Sequence, residues 1–186
     1  LFGTKRRLPQ IYSNDKQEVA YAIRLGLNFP CQGAAANMTN FGAILVYWLM
    51  RQGKLPMMKE ACTVHDAVYM YSKPEDINTW TVYTIWNILR NPSTKKYFGF
   101  QVDDVTLSMD FTIGRSMAEE LPFMPGYDYT RMLKPDFSVE EYMEEYHKFK
   151  TRKIGNFSAA SPEVFMELYK KEIHKYQREY EKSRKG

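Results

Sequence analysis

Apolar positions along the chain change their spacing several times, and those changes divide it into elements. Residues 1–13, LFGTKRRLPQIYS, have no period and read as a basic, proline-containing loop. Asn14, with Glu18 as its box partner, is placed to cap a helix from about Asp15 to Gly26. Asn28-Phe29-Pro30 predicts a break, since proline lacks the N–H that a helix interior needs. A long second helix is expected from Gly33 to Arg51. Its small-residue start, Ala34-Ala35-Ala36, permits close approach of a backbone or a ligand, and its second half, AILVYWLM, is apolar on every side, as in a buried helix. Gly53 and Pro56 are expected to end it.

Two short strands follow, MKEACTV and AVYMY, meeting at His65-Asp66. Ser72-Lys73-Pro74-Glu75 has the form of a capping box and predicts a helix to about Leu89. After a loop from Asn91 to Gly99, Val102 to Ile113 reads as a strand. Val105, Leu107, Met109, Phe111 and Ile113 share one of its faces. Pro122 to Pro135 is rich in Pro, Gly and Tyr and reads as a surface linker. Ser138 with Glu141 caps a helix to about Lys150, and Ser161-Pro162-Glu163 opens another to about Ser183. In that last helix Phe165, Leu168, Tyr169, Ile173, Tyr176 and Tyr180 form one stripe. The stripe can pack on its own domain, dock a partner, or line a single-strand path beside Lys170, Lys171 and Lys175.

Composition narrows the class. The 186 residues (22.0 kDa) suffice for one domain, or a domain with an appendage, and 44% hydrophobic with 26% charged residues is an ordinary globular balance. The longest clean apolar run, Ala43 to Met50, is far short of the roughly 20 residues of a membrane span. No membrane partner is expected. Two cysteines, Cys31 and Cys62, make neither a disulfide scaffold nor an all-cysteine zinc site, which favours a reducing compartment, the cytoplasm. No apolar segment follows the basic start, so no signal peptide is read, and a first residue of leucine suggests a fragment or processed product. The net charge is +4, of which +3 lies in residues 1–36. That distribution suits an anionic partner at the beginning of the chain.

Three segments together resemble family A DNA polymerases, the bacterial DNA polymerase I type. LFGTKRRLP is similar to L-F-G-R-R-R-x-x-P. The run from Arg24 through Asn28, Pro30, Gln32, Gly33 and Ala35 to Asn37 is similar to R-x-x-x-N-x-P-x-Q-G-x-A-A-D. Thr63-Val64-His65-Asp66-Ala67 is similar to the Q-V-H-D-E signature of motif C, and Val105 to Gly114 looks like a closing palm strand. The resemblance covers about residues 1–117. It implies a domain division into 1–120, the C-terminal part of a polymerase domain, and 121–186, a linker and helical extension. The expected fold class is α+β, a partial palm whose antiparallel sheet joins the hairpin to the 102–113 strand, flanked by helices.

The resemblance implies a DNA-directed DNA polymerase, a nucleotidyltransferase that uses two magnesium ions, acting on primer-template DNA and deoxynucleoside triphosphates. Phosphoryl transfer needs carboxylates to hold such ions, and an aspartate at a tight hairpin tip is an exposed, rigidly placed oxygen ligand. Asp66 is the candidate catalytic and metal-binding residue; its plainer alternative is a turn aspartate bonding its own backbone. His65 is expected at the primer terminus, or else merely caps the hairpin. Arg24, Asn28 and Gln32 carry groups able to bond the minor-groove acceptors common to all base pairs, although Asn28 also suits a turn and Gln32 a helix cap. Lys5, Arg6 and Arg7 are placed to contact template phosphates, or form a solvated loop. Cys31 reads as a packing residue, His147 and His174 as surface residues.

Two departures matter. Ala67 stands where the family has glutamate, leaving Asp110 as a speculative second carboxylate, and Asn37 replaces an aspartate. The family's motif A and fingers helix would lie upstream of Leu1, so a missing upstream polymerase half is the implied partner. This split character and the extension suit a phage enzyme in a host cytoplasm. The competing class is a non-catalytic DNA-binding or interaction fragment derived from a polymerase.

Overall fold

A computed structural model describes residues 5–64, 66–90, 96–97, 109–152 and 162–184. Within them the chain is α+β, with four α-helices and two separate two-stranded antiparallel sheets. The first helix, α1, spans Lys16–Arg51 without interruption, about 54 Å at 1.5 Å per residue. Asp15, not Asn14, caps it, accepting from the Gln17 N–H at 2.7 Å. The expected break at 28–30 is absent, for Pro30 sits inside the helix. Its ring already holds the φ a helix requires, so the cost is the bond that residue 30 cannot donate to the Gly26 carbonyl and the crowding of that carbonyl. Long helical runs on both sides outweigh it.

The C-terminus of α1 follows expectation. Gly53 adopts a left-handed φ of 66°, and the Lys54 N–H donates to the Leu49 carbonyl (2.8 Å) while the Gly53 N–H donates to Met50 (2.9 Å). This is the Schellman arrangement, which only glycine adopts without strain. The burial expected all round AILVYWLM is confined to one face. Ala43, Val46 and Met50 are buried, whereas Ile44, Tyr47 and Trp48 are half or more exposed.

Strands β1 (Lys59–Val64) and β2 (Ala67–Tyr71) form the expected hairpin, with Val64 opposite Ala67 and a bulge between Glu60 and Cys62. Helix α2 covers Thr79–Arg90 and starts later than the capping box predicts. Ser72 donates its hydroxyl to the Lys73 carbonyl instead of capping, Pro74–Asp76 makes one 3₁₀ turn, and Asn78 accepts from the Thr81 N–H. Serine and asparagine cap about equally well, so packing decides: starting at Asn78 aims Trp80, Ile85, Trp86 and Leu89 inward. Gly42 lets α1 and α2 approach, since a Cβ there would lie 2.7 Å from Leu89 Cδ2.

Residues 102–108 of the expected long strand lie outside the described residues. Its end, β3 (Thr112–Ile113), pairs with β4 (Leu121–Pro122), so among the described residues the hairpin and this strand do not share a sheet. The segment from Pro122 to Pro135 is not a surface linker. Phe123, Met124, Tyr127, Tyr129 and Met132 are buried with Val82 and Tyr142 in a second core cluster. The tyrosines can enter because their hydroxyls find partners: Tyr129 Oη accepts from the Met124 N–H at 2.7 Å, and Tyr142 donates to the Pro122 carbonyl at 2.5 Å.

Ser138 caps α3 (Val139–Arg152) through the Glu141 N–H, as expected. The final helix, α4, spans Pro162–Ser183; Ser161, its expected cap, lies outside the described residues. Its stripe packs on the core already formed by α1 and α2. Phe165, Tyr169 and Ile173 are almost wholly buried, Tyr176 and Tyr180 partly so, and the Tyr180 hydroxyl donates to the Leu55 carbonyl at 2.7 Å. Leu168 departs from the stripe and is 45% exposed. Buried aromatics cannot line a single-strand path. Phe165→Ala should therefore cost about 3–5 kcal/mol in denaturant unfolding, while Leu168→Ala should change stability by less than about 0.5 kcal/mol. Equal effects would mean that α4 is not seated by this face.

Candidate nucleic-acid interface and hairpin carboxylate

Continuity of α1 decides the geometry of the polar groups at the start of the chain. Arg24, Asn28 and Gln32 are four residues apart on one uninterrupted helix, so they follow one another along one side at about 6 Å per step. All three are exposed. A break at Pro30 would have separated Gln32 from the other two. The sequence motif is thus a linear array of one guanidinium and two amides, with no turn at Asn28 and no cap at Gln32.

The basic loop lies against the same stretch of helix. The Arg6 guanidinium sits 5.8 Å from the centroid of the Phe29 ring, next in sequence to Asn28. Leu8 packs at Gly26, where a Cβ would come within 3.1 Å of Leu8 Cδ1. The 3₁₀ turn Pro9–Tyr12 completes the contact with α1. Lys5, Arg6 and Arg7 are exposed, and none forms an ion pair among the described residues. Packing of Leu8 and Arg6 therefore holds the basic loop to the same stretch of α1, on a side of the helix adjoining the Arg24–Asn28–Gln32 line.

Asp66 is exposed at the turn between β1 and β2, held by the Val64–Ala67 pairing on either side. His65, its neighbour at the tip, lies outside the described residues. Ala67 is exposed, so the position at which the family has glutamate faces solvent here. Asp110 is exposed too, and among the described residues no three His, Cys, Asp or Glu side chains stand together as a metal-binding group. Asp66 is the right kind of ligand for magnesium, a hard oxygen donor, but the described residues do not make a complete set.

The cysteines and the two remaining histidines add no chemistry here. Cys31 is exposed on α1 and is no packing residue, Cys62 is half-buried, and both are free. His147 and His174 are exposed, as the sequence suggests. Sequence reasoning grouped Lys170, Lys171 and Lys175 with the α4 aromatics. The structure instead puts Lys171 and Lys175 with Arg178 and Lys182 on the helix side opposite the buried rings, a pattern legible in the spacing 171, 175, 178, 182. No helix among the described residues is long and apolar enough to cross a membrane.

The chain is 29% identical over 156 residues to a DNA polymerase of Bacillus phage SP01, a match that covers 80% of this chain and 16% of that polymerase. The likeness supports a relation to DNA polymerases and reaches no further, since the chain spans about a sixth of that protein's length. No protein-family model and no solved structure matches it.

The continuity of α1 is open to a direct check. Pro30→Ala restores a donor to the Gly26 carbonyl and removes the ring clash, so it should stabilise the protein by about 1–3 kcal/mol in chemical denaturation. A loss of stability would show that the chain bends at Pro30 in solution and that the linear array does not form.

Proposed function

We propose that this chain is the C-terminal part of the polymerase domain of a family A-like DNA-directed DNA polymerase. The observation that carries the reading is the exposed Arg24–Asn28–Gln32 array on a helix against whose same stretch the basic loop packs, through Arg6 at Phe29 and Leu8 at Gly26. Cations give affinity for a phosphate backbone without reading sequence. Amides and a guanidinium in a row can bond the minor-groove acceptors that every correct base pair presents in the same place. Such a surface accepts any matched primer-template and disfavours mispairs. That is what a template-dependent nucleotidyltransferase requires. The likeness to a phage DNA polymerase supports the same class.

In this reading Asp66 contributes one carboxylate to a two-magnesium centre, and His65 stands next to it at the primer terminus. One aspartate cannot hold two ions, so the remaining ligands, and the groups that bind the deoxynucleoside triphosphate, come from the upstream part of the polymerase. The 186 residues alone do not polymerise; primer-template DNA and that upstream half are the partners. Ala67, and the absence of a metal-binding group among the described residues, favour a second reading, a non-catalytic DNA-binding fragment of polymerase ancestry.

Asp66→Asn in the complete polymerase separates the two. The proposal expects nucleotide addition to be abolished with primer-template affinity nearly unchanged; normal turnover in primer extension would falsify the catalytic assignment. Gln32→Ala should slow extension at a matched terminus about 10-fold, the worth of one lost bond to a base edge, with little change in binding. Lys5→Ala with Arg6→Ala should reduce the log–log salt slope of duplex binding by about 0.9 for each phosphate contact removed. An unaltered slope means that the loop points elsewhere.

A further inference from the structure

Core packing uses only one side of α4. Opposite the buried Phe165, Tyr169 and Ile173, Lys171, Lys175, Arg178 and Lys182 recur at steps of four, three and four residues. At about 100° per residue those steps gather the four cations within roughly 60° of the helix circumference, in a row about 16 Å long. All four are exposed. Glu172, Glu179 and Glu181 project at the flanks, outside that sector, and the exposed Glu167, one turn before Lys171, lies about 20° beyond its edge. Lys175 reaches Glu179 only at 4.0 Å, with both side chains more than half exposed, an interaction of little energy. Arg178 donates Nε to the His174 carbonyl at 3.0 Å, and Lys171 and Lys182 form no ion pair among the described residues. A solvated helix face ordinarily mixes both signs. Within the 171–182 sector only cations stand, and like charges in a row repel unless an anion answers them.

The geometry points to the outer face of α4 as a second binding surface, one for the phosphodiester backbone of a nucleic acid. It lies outside the segments that resemble polymerase motifs and does not depend on their assignment. Successive cations stand about 5–6 Å apart along the axis. Long, flexible stems can therefore bring each to a separate phosphate of a strand that carries one charge per about 3.4 Å of axis. The helix is held in place from its other side by Phe165 and by the Tyr180–Leu55 hydrogen bond, so little ordering remains to be done on binding. An acidic protein could answer the same charge. Protein interfaces, however, centre on buried apolar anchors, and Val164 and Leu168, the exposed apolar residues on this side, precede the row instead of lying within it. Backbone phosphates ask only for cations.

The test uses the full 186-residue chain, with fluorescence anisotropy across a salt series on two labelled probes, a primer-template duplex and a single-stranded oligonucleotide. Replacing Lys171, Lys175, Arg178 and Lys182 with glutamine should lower the log–log salt slope by about 2–4 and weaken low-salt binding at least about 10-fold. A loss confined to duplex identifies double-stranded DNA as the ligand, and one confined to the oligonucleotide identifies a single strand; either supports the inference. Unchanged slopes on both probes overturn it. So does displacement by poly-glutamate as effective as that by DNA at equal charge, which reassigns the face to an acidic protein. Melting temperature should be unaffected, and if the fourfold variant melts early, Lys171→Gln and Lys182→Gln alone should each lower the slope by up to about 0.9. The double variant Lys5→Ala with Arg6→Ala, measured in parallel, distinguishes this surface from the first. Loss of slope there with none at α4 overturns the α4 surface and leaves the polymerase reading intact; the converse supports α4 and counts against the basic loop.

Discussion

Seating α4 on α2 is the packing event from which the rest of the arrangement follows. Phe165 stacks on Tyr83 at 5.3 Å and 8°, lies 6.0 Å from the Trp86 ring and 4.7 Å from Tyr169. Burying rings of this size contributes several kcal/mol each, and their edges and faces fit only in a few mutual orientations. Val46 and Met50 of α1 join the same cluster, together with Leu55 and Met58 just beyond it. The C-terminal third of α1 is thereby clamped. The polar array nearer its N-terminus needs no core of its own, because one stiff helix carries it from the clamped end.

Charge is organised by the same clamp. A net charge of +4 over 186 residues is modest, yet two cationic surfaces emerge from it. At one, the exposed cations Lys5, Arg6 and Arg7 lie in the loop held to the Gly26–Phe29 stretch of α1, where Leu8 packs at Gly26 and Arg6 at Phe29, on the helix that also carries Arg24. At the other, the buried face of α4 leaves Lys171, Lys175, Arg178 and Lys182 no direction but outward. Some acidic residues are engaged elsewhere, Glu119 by Arg115 at 2.7 Å and Glu145 by Arg131 at 3.4 Å, while those of α4 stand at the flanks of its cationic row. Separation of sign, more than total charge, makes a surface able to hold a polyanion.

Asp66 is the counterweight to both surfaces. A two-residue hairpin tip exposes a carboxylate well but supplies only one. The β1–β2 hairpin pairs with no further strand among the described residues, and two strands alone are marginal in water. Chemistry at this tip therefore belongs to a larger assembly in the reading argued above, with this chain contributing one ligand and the surfaces that hold the nucleic acid.

Local chemistry was legible in the sequence wherever it acts over a few residues. The hairpin around His65-Asp66, the glycine stop at Gly53, the Ser138 cap and the inward set Phe165, Tyr169 and Ile173 all follow from spacing and side-chain type. So do the candidate polar residues themselves, since amides and guanidiniums can be recognised one at a time. Tertiary structure alone decided the rest. Pro30 stays within α1 because flanking helix outweighs one lost hydrogen bond, and a window of a few residues does not weigh that balance. Phe123, Met124, Tyr127, Tyr129 and Met132 of the Pro122–Pro135 segment are buried against Val82 and Tyr142, with the Tyr129 and Tyr142 hydroxyls bonded to its backbone, and β3 pairs with β4 and not with the hairpin. The faces of α1 and α4 left to solvent were settled by which neighbours covered the others. Propensity and periodicity are properties of adjacent residues, whereas burial and pairing depend on distant parts of the chain arriving at the same place.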